Sequence, residues 1–396
     1  MGQHACKLEH ILIIGGGVGG ALAHDLALRG FQVTLVEKGE LLSGATGRHH
    51  GLLHSGARYV FNDIATSREC YEENITLKRI APHAIEANGG FFIAVDEEDL
   101  SYQIQFLQNC KKADIPTRKI TIKEALALEP NLNPKLKAAV IVPDGSMDAW
   151  RFALSFFATA KANGAAIHPF CQVTNILVRG NSVVGVQLKN YRNGRTEEIG
   201  ADLVVNAAGA WAGQVAAMAG IYVPIQPCPG VMVSVADRLC HRVINRLHPP
   251  GEGDIIVPQR NLSILGTTAW LEDNPDQVKV PQGDVKRLMT LCDELIPGIK
   301  NMSPHAVWSA CRPLLQKGKG KDNNPFEISR EFDCFDHGRD DNIHGLISLI
   351  GGKATTMRAM AEQVADLICK KTGRVVSCAT HKTLLLSHRR YFDFND

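Results

Sequence analysis

The 396-residue chain lacks a strong net charge, and this absence narrows the partners it can bind. It carries 43 Lys and Arg residues against 41 Asp and Glu residues, which gives a net charge of +2. A protein that binds nucleic acid through the phosphate backbone carries a clear basic excess. The composition therefore argues against a nucleic-acid partner, while 45% hydrophobic and 21% charged residues are typical of a folded globular protein.

Paired cysteines are also missing. The 11 cysteines are scattered, their number is odd, and no two of them stand in a Cys-x-x-Cys pair. Structural zinc sites and cysteine-ligated iron–sulfur sites need clustered thiolates. The sequence therefore predicts no metal centre and reduced, mostly buried thiols, which are typical of a cytoplasmic protein.

No uninterrupted apolar stretch is long enough to span a membrane. The longest candidate, residues 203–223, contains Asn206, Gln214 and several glycines and alanines. This composition suits a buried strand, a turn and a helix. The first ten residues are short and polar and do not resemble a signal peptide. If the protein associates with a membrane, we therefore expect the association to be peripheral, on the inner face of the plasma membrane.

The most informative feature that is present lies at residues 11–38, which read ILIIGGGVGGALAHDLALRGFQVTLVEK. An apolar strand runs into Gly15-x-Gly17-x-x-Gly20, a small-residue helix follows, and a second apolar strand ends on Glu37. This is the dinucleotide-binding fingerprint in its strand–turn–helix–strand context. The three glycines permit the tight turn, the approach of a pyrophosphate and close helix packing, and the helix N-terminus attracts the phosphates.

Glu37 narrows the choice of dinucleotide. A carboxylate at the end of the second strand can accept hydrogen bonds from both hydroxyls of an adenosine ribose. It therefore favours a ribose without a 2′-phosphate. The residues alone predict FAD or NAD and argue against NADP.

Two further apolar strands, near residues 204 and 348, also end in small residues that a helix follows. We expect these strands and the first one to be neighbours in one parallel sheet, with the ligand at their carboxyl ends. The predicted fold is α/β, with a Rossmann-like FAD-binding domain interleaved with a smaller α+β substrate domain that has an antiparallel sheet. The predicted bounds are residues 1–90, 146–222 and 331–396 (the last with a C-terminal tail) for the first domain, and residues 91–145 and 223–330 for the second.

Local periodicity also predicts individual elements. Helices are expected at residues 62–87, 100–113, 151–163 and 280–295. Strands at residues 166–169, 173–179 and 182–189 are expected to form a small β-meander, because turn signals separate them.

Six stretches carry a resemblance to a known family. They are residues 44–59 (GATGRHHGLLHSGARY), 142–148 (VPDGSMD), 202–209 (DLVVNAAG), 242–246 (RVINR), 312–314 (RPL) and 351–358 (GGKATTMR). In this order and spacing they resemble the FAD-dependent glycerol-3-phosphate dehydrogenases of the D-amino-acid-oxidase-like superfamily, closest to the catalytic A chain of the anaerobic enzyme. The resemblance implies FAD as cofactor and oxidation of sn-glycerol 3-phosphate to dihydroxyacetone phosphate by hydride transfer to flavin N5. It also implies that the electrons pass to a quinone or to partner subunits.

Two features depart from the family pattern. The catalytic chains of the anaerobic enzymes carry a C-terminal cysteine-rich domain with an iron–sulfur centre, and we expect this usual electron exit to be absent here. Where relatives have a basic residue after a Pro-Cys pair near residue 228, this chain has Pro229-Gly230. This difference leaves open a flavoenzyme that oxidises another 2-hydroxy acid or an amino acid. A non-catalytic FAD-binding subunit is the other alternative.

His54 is the candidate base for removing the hydroxyl proton, because an imidazole with a pKa of about 6.5 suits proton abstraction near neutral pH. The alternative is a loop histidine that only bonds the backbone. By resemblance, Arg312 and Lys353 lie close to the carbinol and complete the predicted catalytic set. Arginine and lysine are also the residues that best neutralise a phosphate group. The predicted substrate contacts are Arg330, Arg58 and His50.

The predicted FAD contacts come from the fingerprint, the loop after the second strand, the β-meander and the two later strand ends. They are Gly15, Gly17, Gly20, Glu37, Lys38, Thr46, Arg48, His49, Gly51, Leu52, Val173, Ala208, Gly209, Trp211, Gly351, Gly352, Lys353, Ala354 and Thr355.

Overall fold

The structure is a computed structural model that describes residues 9–316 and 331–394. Within these ranges it contains ten α-helices and twenty β-strands in four sheets. The strands are β1 (His10–Ile14), β2 (Gln32–Glu37), β3 (Leu52–Leu53), β4 (Ile85–Glu86), β5 (Gly90–Ala94), β6 (Arg118–Ile120), β7 (Ala138–Val142), β8 (Gly145–Met147), β9 (Ala166–Pro169), β10 (Cys171–Arg179), β11 (Ser182–Asn190), β12 (Thr196–Gly200), β13 (Leu203–Asn206), β14 (Ile225–Val235), β15 (Val243–Arg246), β16 (Ile255–Gln259), β17 (Leu262–Gly266), β18 (Ala306–Leu315), β19 (Phe332–Asp336) and β20 (Leu346–Gly351). The helices are α1 (Val18–Leu28), α2 (Ala45–Arg48), α3 (Ile64–Ile80), α4 (Glu97–Lys112), α5 (Ile122–Leu128), α6 (Ala149–Ala162), α7 (Ala212–Ala217), α8 (Asp284–Asp293), α9 (His337–Asp340) and α10 (Met357–Thr372), with 3₁₀ turns at Ala57–Tyr59, Gly209–Trp211, Ile299–Asn301, Ala354–Thr356 and His388–Asp393.

A six-stranded sheet, in the order β19-β20-β13-β1-β2-β9, forms the frame of the nucleotide-binding half. Strand β1 pairs in parallel with both β2 and β13, and β13 pairs in parallel with β20. This confirms the prediction that the three apolar strands are neighbours in one parallel sheet. Only the edge strand β19 runs antiparallel, beside β20.

The faces of this sheet are covered differently. Apolar residues of α1, α6 and α10, such as Leu22, Phe156 and Val364, form a buried core with one face. A second core joins the other face to α7 and to a three-stranded sheet in the order β10-β11-β12. Because both faces are covered, the strand interiors are apolar, as in other parallel sheets.

An eight-stranded sheet, in the order β18-β14-β17-β16-β15-β5-β7-β6, forms the second half. Its strands come from two separate parts of the chain, and all its pairs are antiparallel except β15 with β5. Helix α8 packs on β14 and β17 of this sheet, and its Leu288 belongs to the same buried core as Val233. The architecture confirms the predicted α/β class with a second, antiparallel sheet. The domain bounds given above stay predictions.

Some predicted elements are wrong. Strand β9 does not belong to the meander, because it pairs in parallel with β2, and the third strand of the meander is β12. Helix α3 ends at Ile80 instead of continuing to residue 87, since Pro82 has no backbone N–H to donate within a helix. Helix α8 begins at Asp284, after Gly283 with a φ of +93° at its N-cap.

The apolar stretch at residues 203–223 forms β13, a 3₁₀ turn and α7, as predicted. No helix in the part of the chain that the structure describes is long and apolar enough to cross a bilayer.

Candidate active site

A cavity of about 750 Å³ opens at the carboxyl ends of β1, β2 and β13, between the six-stranded and eight-stranded sheets. Residues of both sheets line it, including Ile14 on one side and Arg312 on the other. The volume lies in the range of ligand sites, and the carboxyl end of a parallel sheet is where this kind of fold binds its ligands.

The glycine-rich turn lies so close to neighbouring segments at this end of the cavity that only glycine fits there. Gly15 has a φ of +110°, and a Cβ atom there would lie 2.4 Å from the carbonyl oxygen of Ala207. A Cβ on Gly17 would lie 2.6 Å from Thr46 Oγ1. Helix α1 begins directly after Gly17 without a side-chain cap, so its first N–H groups face the cavity. This cradle suits a pyrophosphate.

Glu37 connects the turn to the end of β2. Its Oε2 accepts a hydrogen bond of 2.7 Å from the N–H of Gly16, and its Oε1 accepts one of 3.0 Å from the N–H of Gly39. The carboxylate also lines the cavity. It therefore orders two loops and presents negative charge where a ribose would lie.

Asp276 closes this end of the cavity, and sequence analysis missed it. Its Oδ1 lies 3.0 Å from Lys38 Nζ and accepts a 2.8 Å hydrogen bond from Trp211 Nε1. The Lys38 ammonium stands 3.8 Å from the centre of a Trp211 ring. Lys38 and Trp211 belong to the nucleotide-binding half, whereas Asp276 follows β17. We call these three residues the clasp.

Three histidines form a row along the loop after α2. The ring centres of His49 and His50 are 6.2 Å apart, and those of His50 and His54 are 6.0 Å apart. His49 Nδ1 accepts from the N–H of Gly51, and His50 Nδ1 accepts from the N–H of Leu52. These bonds hold the two rings against their own loop.

His54 lies deepest in the row. Its N–H donates to Thr355 Oγ1 at 3.2 Å, and its Nε2 lies 3.3 Å from the hydroxyl of Tyr59. Burial lowers the pKa of His54 well below its ordinary value of 6.5, and the charges of Arg58 and Lys353 lower it further. The imidazole is therefore neutral over the neutral pH range and can accept a proton.

Arg58 lines the cavity and has one buried nitrogen without a hydrogen-bond partner. Its Nη2 lies 2.6 Å from Asp254 Oδ2, but its Nη1 is buried and has no hydrogen-bond partner. A buried, unpartnered guanidinium nitrogen is costly unless a ligand or water pairs with it. Arg58 is therefore suited to contact an anionic group in the cavity.

Arg312 reaches the cavity from β18. Its Nη2 donates to Thr267 Oγ1, and its Nη1 lies 3.5 Å from the carbonyl oxygens of Cys228 and Pro229. Within residues 9–316 and 331–394, no carboxylate forms an ion pair with it. The guanidinium is held in place by neutral oxygens and keeps its full positive charge for a ligand.

The position of Arg312 explains sterically why residue 230 is a glycine. A Cβ atom on Gly230 would lie 2.7 Å from Arg312 Nη1 and 2.3 Å from the carbonyl oxygen of Thr268. A side chain at Gly230 would therefore displace the guanidinium.

Lys353 enters from the third strand end. It follows β20 and Gly352, and it precedes the 3₁₀ turn that leads into α10. Its ammonium lies 5.1 Å from the centre of the Tyr59 ring and lines the cavity. The cavity thus brings Lys353 together with Arg58, Arg312 and His54.

Most of the other predicted contacts also line the cavity. They are His50, Thr46, His49, Leu52, Val173, Ala208, Gly209, Gly351, Gly352, Ala354 and Thr355. Their assignment to particular ligand atoms stays a prediction.

Three predicted contacts lie elsewhere. Arg48 is exposed and does not line the cavity; its carbonyl accepts from Trp308 Nε1 on the far side of the loop. Gly51 also lies off the cavity wall, where its carbonyl accepts from the N–H of Met147. Gly20 serves helix packing, because a Cβ there would lie 2.7 Å from the ring of Phe157. Because these three residues do not line the cavity, the geometry adds no support to their predicted contacts with FAD, which stay predictions.

Arg330 lies outside the described residues. Besides Asp276, sequence analysis missed Tyr59 and Thr267, which contact His54 and Arg312. Tyr59 lies in the stretch 44–59, which carries the family resemblance, so the sequence could have indicated it as a site residue. Thr267 follows β17 in a segment without a motif.

The comparison with protein families assigns the class. The family model described as "FAD dependent oxidoreductase" matches residues 10–367. The chain therefore belongs to this family of flavoenzymes. FAD is the cofactor of the family, and the cradle at Gly15, Gly17 and Glu37 has the shape and donors to hold its adenosine diphosphate part. The prediction of FAD is confirmed.

Individual relatives show which members of the family the chain is similar to. The chain is 40% identical to the A1 subunit of the anaerobic glycerol-3-phosphate dehydrogenase of Haloferax volcanii, over 94% of this chain and 66% of that protein. It is 39% identical to the corresponding A-type subunit of the anaerobic enzyme from Escherichia coli K12, over 93% of this chain and 68% of that protein. The predicted resemblance is thus confirmed. The chain spans about two thirds of the length of these relatives.

A solved structure shares the fold. The X-ray structure of glycerol-3-phosphate dehydrogenase from Bacillus halodurans complexed with FAD matches with a TM-score of 0.74. The match covers 98% of this chain and 71% of that one, at 22% identity. At this identity the likeness shows the fold.

We expect the clasp to slow the dissociation of FAD. Asp276→Asn removes the charge that pairs with Lys38 and weakens the bond to Trp211. Hydrogen bonds to charged groups contribute about 1.5–3 kcal/mol, but this ion pair is partly exposed and therefore screened. We expect FAD to dissociate about tenfold faster, measured as the rise of flavin fluorescence after dilution. Asp273→Asn, in the same segment, is the matched control, and equal rates in the two variants would contradict a role for the clasp.

Proposed function

We propose that the chain oxidises sn-glycerol 3-phosphate to dihydroxyacetone phosphate, with FAD as the hydride acceptor. The observation that carries the proposal is Arg312. Its guanidinium lines the cavity, is fixed by Thr267 and two backbone carbonyls, and forms no ion pair with a described carboxylate. The relatives named as glycerol-3-phosphate dehydrogenases support the same substrate.

The electrostatics of the cavity suit a phosphate ester. A phosphate dianion that enters a partly desolvated cavity must meet fixed cations, because an unpaired buried charge is strongly destabilising. Arg312 offers a planar fork of donors, which matches phosphate oxygens in two-point contacts. Arg58 adds a buried donor without a partner on the same wall. Arg312 supplies positive charge for such a substrate, whereas the charge of Arg58 is largely balanced by Asp254.

The residues around His54 suit removal of a proton from the carbinol. FAD, when bound, supplies the acceptor for the hydride that leaves the substrate carbon. A neutral imidazole takes the hydroxyl proton at the same time, and the Tyr59 hydroxyl at 3.3 Å keeps His54 Nε2 oriented. Lys353 and the first N–H groups of the helical segment after it place positive charge against the cavity, where negative charge develops.

The support for the alternative substrates is limited. An amino acid or another 2-hydroxy acid was favoured only by the missing basic residue at Pro229-Gly230. At Gly230 a basic side chain would meet the Arg312 guanidinium, which weakens this argument at that position. His54 and Lys353 both face the cavity, which argues against a non-catalytic FAD-binding subunit.

We infer further that partner subunits receive the electrons. The relatives are named as subunits of a larger enzyme. A peripheral membrane association would follow through such partners. This electron transfer can be tested by reducing the flavin with substrate and adding a soluble quinone analogue. The rate of flavin reoxidation is then compared with and without added partner protein.

The pH profile provides a test of the base. Because the pKa of His54 is lowered well below 6.5, the imidazole stays neutral as the pH falls through that value. The rate constant of flavin reduction at saturating substrate should therefore stay nearly constant between about pH 7.5 and pH 6. A base with the ordinary pKa would lose about three quarters of its neutral form over this range.

Rapid mixing in the absence of oxygen measures this rate constant. Saturating substrate removes the effect of phosphate ionisation on binding. The reduction rate of His54→Ala gives the rate that remains without this base. A decline of about fourfold centred near pH 6.5 would show that the proton acceptor is a group with an ordinary pKa.

A further inference from the structure

The C-terminal segment, residues 374–394, creates a second cluster of reactive side chains on the far side of the FAD-binding sheet. This segment runs across α1 and α10 and has no strand or α-helix of its own. It brings Cys378 and His381 next to Glu362 of α10. From this cluster we propose that the protein binds one Zn²⁺ ion through Glu362, Cys378 and His381.

The geometry provides three ligand atoms. The thiol sulfur, one imidazole nitrogen and one carboxylate oxygen all lie within 4.8 Å of one another. Thiolate, imidazole and carboxylate together are a ligand set typical of zinc. Three protein ligands leave a fourth tetrahedral position for water, and the exposed His381 provides a path of entry.

The ligands are already oriented by their neighbours. Arg358 Nη1 donates to Glu362 Oε2 at 2.5 Å, and the Cys378 sulfur lies 3.1 Å from Thr380 Oγ1. Hydrogen bonds of this kind hold metal ligands in place from the outside. Arg358 is also the nearest cation, 4.0 Å from the Cys378 sulfur, but its guanidinium is paired with the buried carboxylate of Glu73.

The charge of the surroundings favours a divalent cation. Four carboxylates around the cluster are opposed by three guanidiniums, and zinc binding replaces the Cys378 thiol proton, which goes to solvent. The thiolate that forms adds one negative charge to the cluster, which favours Zn²⁺. The seven groups are Asp25, Glu73, Glu362 and Asp366 on one side and Arg29, Arg79 and Arg358 on the other.

A zinc ion here would join the C-terminal segment to α10. The segment is otherwise attached by bonds such as those from the N–H groups of Leu385 and Leu386 to Ile80 and Thr159. A metal that binds only the folded chain stabilises it by mass action. Sequence analysis predicted no metal centre because it found no clustered cysteines. It could not reveal this cluster, since Glu362 is distant in sequence from the Cys378-x-x-His381 pair and only the fold unites them.

The test uses the reduced, metal-stripped holoenzyme and Zn²⁺ in competition with a chromophoric chelator. We expect one saturable site per chain and a higher Tm in the presence of zinc. Co²⁺ should give a thiolate-to-cobalt charge-transfer band. Cys378→Ser and His381→Ala should each weaken zinc binding at least tenfold and abolish that band. Cys334→Ser removes a part-buried thiol outside the cluster and should bind zinc like the wild type.

The proposal fails if the wild type shows no saturable zinc site. It also fails if either Cys378→Ser or His381→Ala binds zinc as well as the wild type, because the metal would then sit on other thiols. Neither readout involves substrate or flavin reduction, so the outcome is independent of the proposed activity.

Discussion

Replacing Arg312 by alanine should abolish reduction of the flavin by glycerol 3-phosphate while FAD stays bound. The guanidinium lines the cavity without an ion pair to a described carboxylate, and without it the phosphate dianion loses this charged partner in a partly desolvated space. Leaving a buried charge without its partner costs about 3–5 kcal/mol. This corresponds to a loss of two to three decades or more in kcat/KM. FAD should remain bound, because its cradle lies at the other end of the cavity.

Rapid-mixing flavin reduction measures this effect. Arg312→Lys keeps the charge but loses the planar fork, so it should fall between the wild type and Arg312→Ala. Arg260→Ala, on an exposed arginine of the same half, is the control for removing a guanidinium that does not line the cavity. Lys353→Ala should slow the hydride step itself as well as weaken binding, since its charge supports the negative charge that develops. If Arg312→Ala is reduced at the wild-type rate and at wild-type substrate concentrations, the main argument for glycerol 3-phosphate as the substrate fails.

Replacing Glu37 by alanine should weaken FAD binding by two to three decades. The carboxylate can bond the ribose, and in the structure it also accepts from the N–H groups of Gly16 and Gly39. Each bond to a charged acceptor contributes about 1.5–3 kcal/mol, so losing two of them costs at least about 3 kcal/mol, which is about two decades in affinity. Since one of these amides belongs to the glycine-rich turn, the substitution should loosen the turn without changing the fold.

Titration of the apoprotein with FAD, followed by quenching of flavin fluorescence, gives the affinity. Glu40→Ala removes a neighbouring exposed carboxylate and is the matched control. Circular dichroism checks that both variants are folded. If Glu37→Ala and the wild type bind FAD equally well, Glu37 does not contribute to the cofactor site.

The parts of the site that could be predicted depend on short stretches of chain. The turn at Gly15 and Gly17 combines apolar periodicity with a steric need for glycine, and both are visible in a window of about 20 residues. The neighbouring positions of β1, β13 and β20 followed from three similar strand ends. Such features are local or repeat, so sequence patterns reveal them.

The parts that could not be predicted depend on contacts between distant segments. Strand β9 looks like part of a meander, but its apolar face is buried beside β2, and only tertiary packing decides between the two pairings. Asp276 belongs to a polar segment with no periodicity, and it gains a role only when the two halves meet at Lys38 and Trp211. The glycine at position 230, beside the missing basic residue, has no visible reason in the sequence until the position of the Arg312 guanidinium is known.

Anaerobic bleaching of the bound flavin tests the central claim most directly. The purified FAD-loaded protein is mixed with sn-glycerol 3-phosphate without oxygen, and the absorbance of oxidised flavin is followed. Reduction by dithionite confirms that the flavin is reducible, and amino acids and 2-hydroxy acids without phosphate serve as controls. We predict that glycerol 3-phosphate bleaches the flavin and that the unphosphorylated compounds do not. Bleaching by one of those compounds but not by glycerol 3-phosphate, or by dithionite alone, would contradict the account.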